Sequence, residues 1–192
     1  HDLEGGQWDP LDGDIDPAQL TQALARGAKN NGGKIIRFCP ATNAKRVNDE
    51  WLITTPEGNI TCEYVVNAAG YRAAEVGKMF GRNVPCVSLA HQYLITEPIP
   101  ELEANKYKVP LLRDPDSSYY LRQEKDGLLL GPYEKNCRAH WTTSDDPMPE
   151  DFSFQLYNDD LERLEWYIED ACKRVPLPVS YTHLRAHETE AY

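Results

Sequence analysis

Four sets of residues in this 192-residue chain are of the types that do chemistry. His91, in Leu89-Ala90-His91-Gln92-Tyr93, is an imidazole inside a strand-like segment. An imidazole accepts or gives up a proton near neutrality, so it suits general acid or base work, although a lone strand histidine is more often a satisfied core or surface group. Tyr119 and Tyr120 are adjacent phenols. Neighbouring strand positions face opposite sides of a sheet, so one ring must point each way. Asn67-Ala68-Ala69-Gly70 directly follows the apolar run Tyr64-Val65-Val66. A buried strand ending in such small residues lets a bulky ligand approach the backbone, beyond the carboxyl end of a strand where α/β sheets bind ligands. Tight helix–strand packing is the alternative use of the same small residues. His183 and His187 are four apart and would share a helix face, but Glu188 follows the second histidine, unlike H-E-x-x-H. No metal site is assigned to them. GxGxxG, P-loop and GxSxG patterns do not occur.

Composition narrows the field. Twenty basic and 31 acidic side chains leave a net charge of −11, with 41% hydrophobic residues, as in ordinary globular chains. A strongly acidic chain repels phosphate backbones, which argues against a nucleic-acid partner. No apolar run approaches the ~20 residues that span a bilayer. The first residues, His1-Asp2-Leu3-Glu4, lack the basic and apolar regions of a signal peptide. The five cysteines are scattered and none forms CxxC, so free thiols are expected. The acidity is local: between Asp145 and Asp170 there are ten acidic residues and one basic residue, Arg163. A solvated helix face is the expected use of that stretch.

The elements that must position these groups read as follows. Asp16-Pro17-Ala18-Gln19 opens a helix as cap, first-turn proline and capping-box partner, and Gly32-Gly33 ends it. Lys34 to Phe38 reads as a strand. Trp51–Thr55 and Ile60–Val66 form a hairpin around Pro56-Glu57-Gly58-Asn59, with Tyr64–Val66 as a buried strand end. A helix from Ala73 to Phe80 stops at Gly81. Beyond Pro85 the segments Val87–Thr96, Ser118–Gln123 and Leu128–Tyr133 suggest antiparallel sheet, with Lys125-Asp126-Gly127 as a turn. Asp159–Val175 is an amphipathic helix whose apolar positions are 161, 164, 168, 172 and 175. The fold class is therefore α/β plus antiparallel β.

Four stretches together carry a resemblance: GGQWDPLDGDIDPAQLTQALARGAKNNGG, EYVVNAAGYRAAEVGKMFG, LAHQYLITEPIPEL and SSYYLRQEKDGLLLGPYE. In order and spacing they resemble the central portion of FAD-dependent amine oxidoreductases of the D-amino-acid-oxidase superfamily, in the branch of dimethylglycine and sarcosine dehydrogenases. The resemblance covers roughly residues 5 to 177. It implies a partial Rossmann-like FAD-binding domain over 1–83 and a partial substrate-binding domain over 84–178. Residues 179–192 resemble a peptide translated from sequencing-adapter DNA and are expected to be a non-native tail.

The resemblance also implies roles. Ala41 and Thr42, within Pro40-Ala41-Thr42, match the backbone near the adenine, and Asn67, Ala68, Ala69 and Gly70 match the turn against the flavin dinucleotide. Tyr71 matches a nearby aromatic only loosely. His91 and Tyr119, with Tyr120 as the second choice, match catalytic groups lining the substrate cavity. The implied reaction is oxidation of a small N-methyl amino acid by hydride transfer to flavin N5, giving an iminium. The cofactor is FAD, with folate a further one in a C-terminal domain of a longer parent; no metal, nucleic acid or membrane is implied, and the electron acceptor is left open. The family's GxGxxG turn and C-terminal flavin contact do not occur in the chain, so it reads as a fragment that binds FAD weakly or not at all alone. The implied compartment is the cytoplasm in a bacterium and the mitochondrial matrix in a eukaryote. The alternative is a non-catalytic homologue of the same fold, like the regulatory subunit of pyruvate dehydrogenase phosphatase.

Overall fold

The computed structural model describes residues 3–143, 145–153, 158, 160–176 and, as strand backbone, 185–190. The chain folds as two compact units. One comprises Pro17–Leu89 with Ala139–Met148, and the other comprises the N-terminal segment to Asp16, Ala90–Arg138 and the chain from Pro149.

The first unit opens with helix α1 (Pro17–Asn30). It ends where the sequence signals: Gly33 N–H reaches Ala28 O at 2.9 Å and Gly32 N–H reaches Lys29 O at 3.0 Å, with Gly32 at φ +85°. These two bonds satisfy carbonyls that the last turn leaves open. No residue of α1 is buried, and Leu24 is 66% exposed. Strands β1 (Asn43–Val47), β2 (Glu50–Thr55) and β3 (Gly58–Cys62) form an antiparallel meander. Asn48 and Asp49, both at positive φ, make the two-residue turn between β1 and β2, which the sequence reading missed. The β2–β3 turn is also two residues, Pro56-Glu57, shorter than expected because Thr55 already pairs with Gly58. Helix α2 (Ala73–Met79) follows a 3-10 turn at Gly70–Arg72, and Phe80 packs edge-on against Trp51 with ring centroids 5.0 Å apart.

Two expected strands do not form. Lys34–Phe38 is irregular, and Phe38 sits at φ +57°, outside the extended region. Tyr64–Val66 is also irregular, and Tyr64 and Val66 are exposed. A strand exists through its ladder of hydrogen bonds, and no described strand pairs with either segment. The apolar pattern was correctly read, but the pairing it needs is absent among the described residues.

The second unit is built on an antiparallel sheet ordered β5-β6-β7-β4, with β9 on β4. Its elements are β4 (Ser88–Ile95), a short helix α3 (Pro100–Glu103), β5 (Leu112–Asp114), β6 (Tyr119–Glu124), β7 (Gly127–Pro132), β8 (Arg138–His140), α4 (Glu165–Arg174) and β9 (Arg185–Glu190). The β6–β7 hairpin turns at Lys125-Asp126, with Lys125 at φ +53°. Alternation along β4 buries Ala90, Gln92 and Leu94 on one side. Leu94, Tyr119, Leu121 and Leu130 from the sheet meet Leu164, Tyr167 and Ala171 from the helical segment, forming the main core. Each large apolar side chain fully buried here is worth ~1.5–3 kcal/mol. Ile99, Leu102 and Leu128 form a smaller cluster.

The buried stripe of the last helix differs from the expected one. Leu161 is 43% exposed, whereas Tyr167 and Ala171 are buried. The cause is that Leu161–Arg163 is a separate 3-10 turn, so the α-helical phase starts only at Glu165. Glu162, Glu165 and Glu169 are exposed, as a solvated acidic face requires. Part of the tail, Arg185–Glu190, within the stretch expected to be non-native, pairs antiparallel with Ile95–Ala90 of β4. His183 lies outside the described residues, and His187 is a backbone position of β9 opposite Tyr93.

Candidate functional site

Strand periodicity decides what the two tyrosines can do. In β6, Tyr119 pairs with Pro132 and Tyr120 with Gly131. Tyr119 points to the helix-covered side, where it is 2% exposed in the core with Leu94 and Leu164. Its hydroxyl is buried beside the Asp170 carboxylate. Burial, then the Asp170 and Asp114 carboxylates, push the phenol above its ordinary range. Tyr119 is therefore on the opposite side of the sheet from His91, and the geometry does not bring those two expected site residues together.

The other face is open and aromatic. His91 stands edge-on to Tyr133, ring centroids 6.3 Å apart at 77°, and Tyr133 in turn lies 5.9 Å from Tyr120. Gly131 makes room for this arrangement: a Cβ there would fall 2.2 Å from Tyr120 Cζ, so only glycine lets that ring cross β7. The His91 side chain is 22% exposed and Tyr133 is 56% exposed, so the cluster is reachable from solvent. Tyr120 is half-buried. The face thus offers one imidazole and two phenol rings, a set that suits a small cationic or amine ligand.

Behind His91 is a charged group that the sequence reading did not single out. Glu134, 6% exposed, lies with Oε1 4.0 Å from His91 Nδ1 and binds Arg163 through Oε2, at 2.8 Å from Nε. Burial lowers the His91 proton affinity below the ordinary imidazole value of 6.5; Glu134 opposes that change and Arg163 adds to it. The net effect favours a neutral ring. One signal was available for this pair. Arg163 is the lone base in the acidic run, and a lone cation there has a specific carboxylate to meet.

In the first unit the expected dinucleotide contacts occupy two exposed segments. Ala41 and Thr42 are exposed, and Thr42 extends the meander by donating its N–H to Thr54 O at 2.9 Å. Asn67 closes the second turn: its Oδ1 accepts Ala69 N–H at 3.2 Å and its Nδ2 donates to Ala73 O at 2.9 Å. Ala68 and Gly70 are exposed, Gly70 is at φ +57°, and a Cβ there would meet nothing within 4 Å. Two methyl groups and a hydrogen thus leave this backbone open to close approach, which fits a dinucleotide sterically. Tyr71 packs against Trp141, with centroids 6.2 Å apart.

Comparison with known proteins identifies the lineage. The family model described as FAD dependent oxidoreductase (DAO) matches residues 1–188. The chain belongs to this FAD-dependent oxidoreductase family. It is 43% identical to mouse (Mus musculus) mitochondrial dimethylglycine dehydrogenase, covering 90% of the chain and 20% of that protein. It is 37% identical to human (Homo sapiens) mitochondrial sarcosine dehydrogenase, covering 92% of the chain and 19% of that protein. The chain thus spans about a fifth of the length of these relatives. Among solved structures, L-proline dehydrogenase from P. horikoshii superposes with a TM-score of 0.68 at 23% identity, over 95% of this chain and 45% of that one. That likeness shows a shared fold, and it agrees with the α/β plus antiparallel reading of this chain.

Proposed function

We propose that this chain carries the substrate-facing part and one cofactor-contacting part of an FAD-dependent dehydrogenase acting on the CH–NH group of an N-methyl amino acid, with dimethylglycine or sarcosine as substrate. The observation that carries the reading is His91 on an open aromatic face, in a chain 43% identical to dimethylglycine dehydrogenase. FAD, when bound, supplies the two-electron acceptor. The Asn67–Gly70 turn and the Ala41-Thr42 backbone would hold the dinucleotide by close approach.

The rest follows from side chains of the chain itself. An N-methyl amino acid is an ammonium ion at neutral pH, and its nitrogen must lose that proton before the neighbouring C–H can give up a hydride. The ring faces of Tyr120 and Tyr133 attract a methylated ammonium by cation–π interaction. A neutral His91 then accepts the ammonium proton, which its lowered proton affinity permits without leaving the ring already charged. The Tyr120 hydroxyl supplies a hydrogen bond that orients amine or carboxylate. Tyr119, held in the core, takes no part.

Two mitochondrial relatives support placement in the matrix of a eukaryotic source, and the cytoplasm serves for a bacterial one. A second reading, a regulatory protein without turnover, is supported by 28% identity to the mouse pyruvate dehydrogenase phosphatase regulatory subunit over 92% of the chain. The test is made on the longest open reading frame that contains this chain. The product is expected to show flavin absorbance, to oxidise dimethylglycine, and to lose ~10²-fold or more in kcat/KM on His91→Ala. A flavin-free product without turnover favours the regulatory reading, and an unchanged His91→Ala variant removes His91 from the reaction.

A further inference from the structure

We infer that the buried Glu134–Arg163 ion pair is the positioning device for His91, clamping the backbone on both sides of it and balancing the charge its ring faces. The inference rests on the reading of His91 as the substrate-facing base. Its ground is the edge of β4. The register of β7 on β4 covers only Leu94 and Ile95. Further along, Glu134 Oε1 accepts the Gln92 N–H at 2.9 Å, and Arg163 Nη2 donates to Ala90 O at 3.1 Å. In an extended strand the carbonyl of one residue and the N–H two positions on share an edge. One ion pair thus grips both groups that flank His91, the work a neighbouring strand's backbone does elsewhere.

The clamp is itself held. Arg163 Nη2 lies 2.7 Å from Glu134 Oε2. The Gln92 side chain donates to Asp160 O and accepts from Asp160 N–H, both at 2.8 Å, which fixes the start of the 3-10 turn carrying Arg163. Residues near 92, 134 and 160 are thereby closed into one ring of contacts around the His91 backbone. Such a pair costs desolvation, and an apolar edge would be cheaper, so its place beside an imidazole is informative.

The charge arrangement has the same logic. The charged groups facing His91 are Glu134, from the segment after β7, and Arg163, from the turn before α4; the uncharged Tyr133 ring covers its edge. His91 Nδ1 is buried with no hydrogen-bond partner, 4.0 Å from a carboxylate oxygen already engaged by Gln92. Glu134 alone would draw a proton onto His91, and Arg163 offsets part of that pull.

The experiment compares Glu134→Gln, Arg163→Gln and the double variant in the product of the longest open reading frame that contains this chain. It reads the His91 titration midpoint by NMR of histidine-labelled protein and the acid limb of kcat/KM with dimethylglycine. Glu134→Gln is expected to move both midpoints down by ~1 unit and Arg163→Gln to move them up by ~1 unit, with the double variant returning close to the parent. Equal losses of activity with unmoved midpoints would mean a structural role only and would overturn the inference. If a single variant leaves a buried charge unpaired and does not fold, the double variant and Arg163→Lys carry the test. The double variant must keep the parent midpoint with a lowered kcat, and Arg163→Lys must rescue it. A double variant with parental kcat overturns the clamp. If the NMR midpoints move as stated and the kcat/KM profile does not follow, the positioning role stands and the reading of His91 as base fails. If His91→Ala abolishes turnover and neither midpoint moves, that reading stands and the positioning role falls.

Discussion

The two faces of the antiparallel sheet carry the same residue types and use them oppositely. Tyr119 and Tyr120 are neighbours in β6, yet one is 2% exposed under α4 and the other shares an open face with His91. Gln92 and His91 are neighbours in β4, and again one is buried in a hydrogen-bonded circuit while the other reaches solvent. The helix-covered face is where packing sets stability. The open face keeps polar groups reachable and is the face proposed for chemistry. A polar atom is tolerated on either, but on the covered face it has to be paired or be a cost.

The largest expected effect belongs to the covered face. Leu164, 0% exposed, sits between Tyr119, Tyr167 and Leu94. Leu164→Ala is expected to cost ~2–5 kcal/mol, read as a drop in the denaturant midpoint with little change in slope. An unchanged midpoint would mean that α4 is not the lid of this core.

A smaller effect is expected where the open face depends on an absent side chain. Gly131→Ala forces the Tyr120 ring off β7, since a Cβ would fall within 2.5 Å of three of its atoms. Turnover should drop ~10-fold or more while the fold survives, because the ring can move into solvent. Kinetics equal to the parent would show that the ring position does not matter.

Acid stability gives a further contrast. Burial raises the Asp114 proton affinity, but the Ser117 N–H and the Arg174 guanidinium outweigh it, so the carboxyl titrates below its ordinary 3.8. A carboxyl lowered on folding contributes stability above 3.8 that is lost as pH falls through its folded value. Asp114→Asn should therefore reduce stability at neutral pH and flatten its fall in acid. His91 has the opposite chemistry with the same sense of loss: an imidazole lowered on folding contributes above 6.5, and less as pH falls below it.

Much of this was legible in the sequence because it depends on local rules. The Gly32-Gly33 stop, the β2–β3 and β6–β7 hairpins, β4 and the split of Tyr119 from Tyr120 follow from spacing and turn chemistry. Lys34–Phe38 and Tyr64–Val66 were misread because apolar content signals a strand only where a partner ladder exists, and pairing is not local. Register separates Tyr119 from Tyr120: the sequence shows that the rings part, and only the helix that covers one face tells which ring is buried. The pairing of Glu134 with Arg163 escaped notice because they meet across the sheet edge from positions 29 residues apart. The lone positive charge in an acidic run was their one trace.

The most direct measurement is the paired removal of the two tyrosine hydroxyls in one flavin-loaded protein. Tyr120→Phe is expected to lower kcat/KM for dimethylglycine ~10-fold, the worth of one lost hydrogen bond of ~1.4 kcal/mol. Tyr119→Phe should leave kcat/KM as it was and change stability by ~1 kcal/mol or less, since its hydroxyl faces only the Asp170 carboxylate inside the core. The reverse result, with turnover lost on Tyr119→Phe and kept on Tyr120→Phe, would contradict the assignment of the open face as the substrate face.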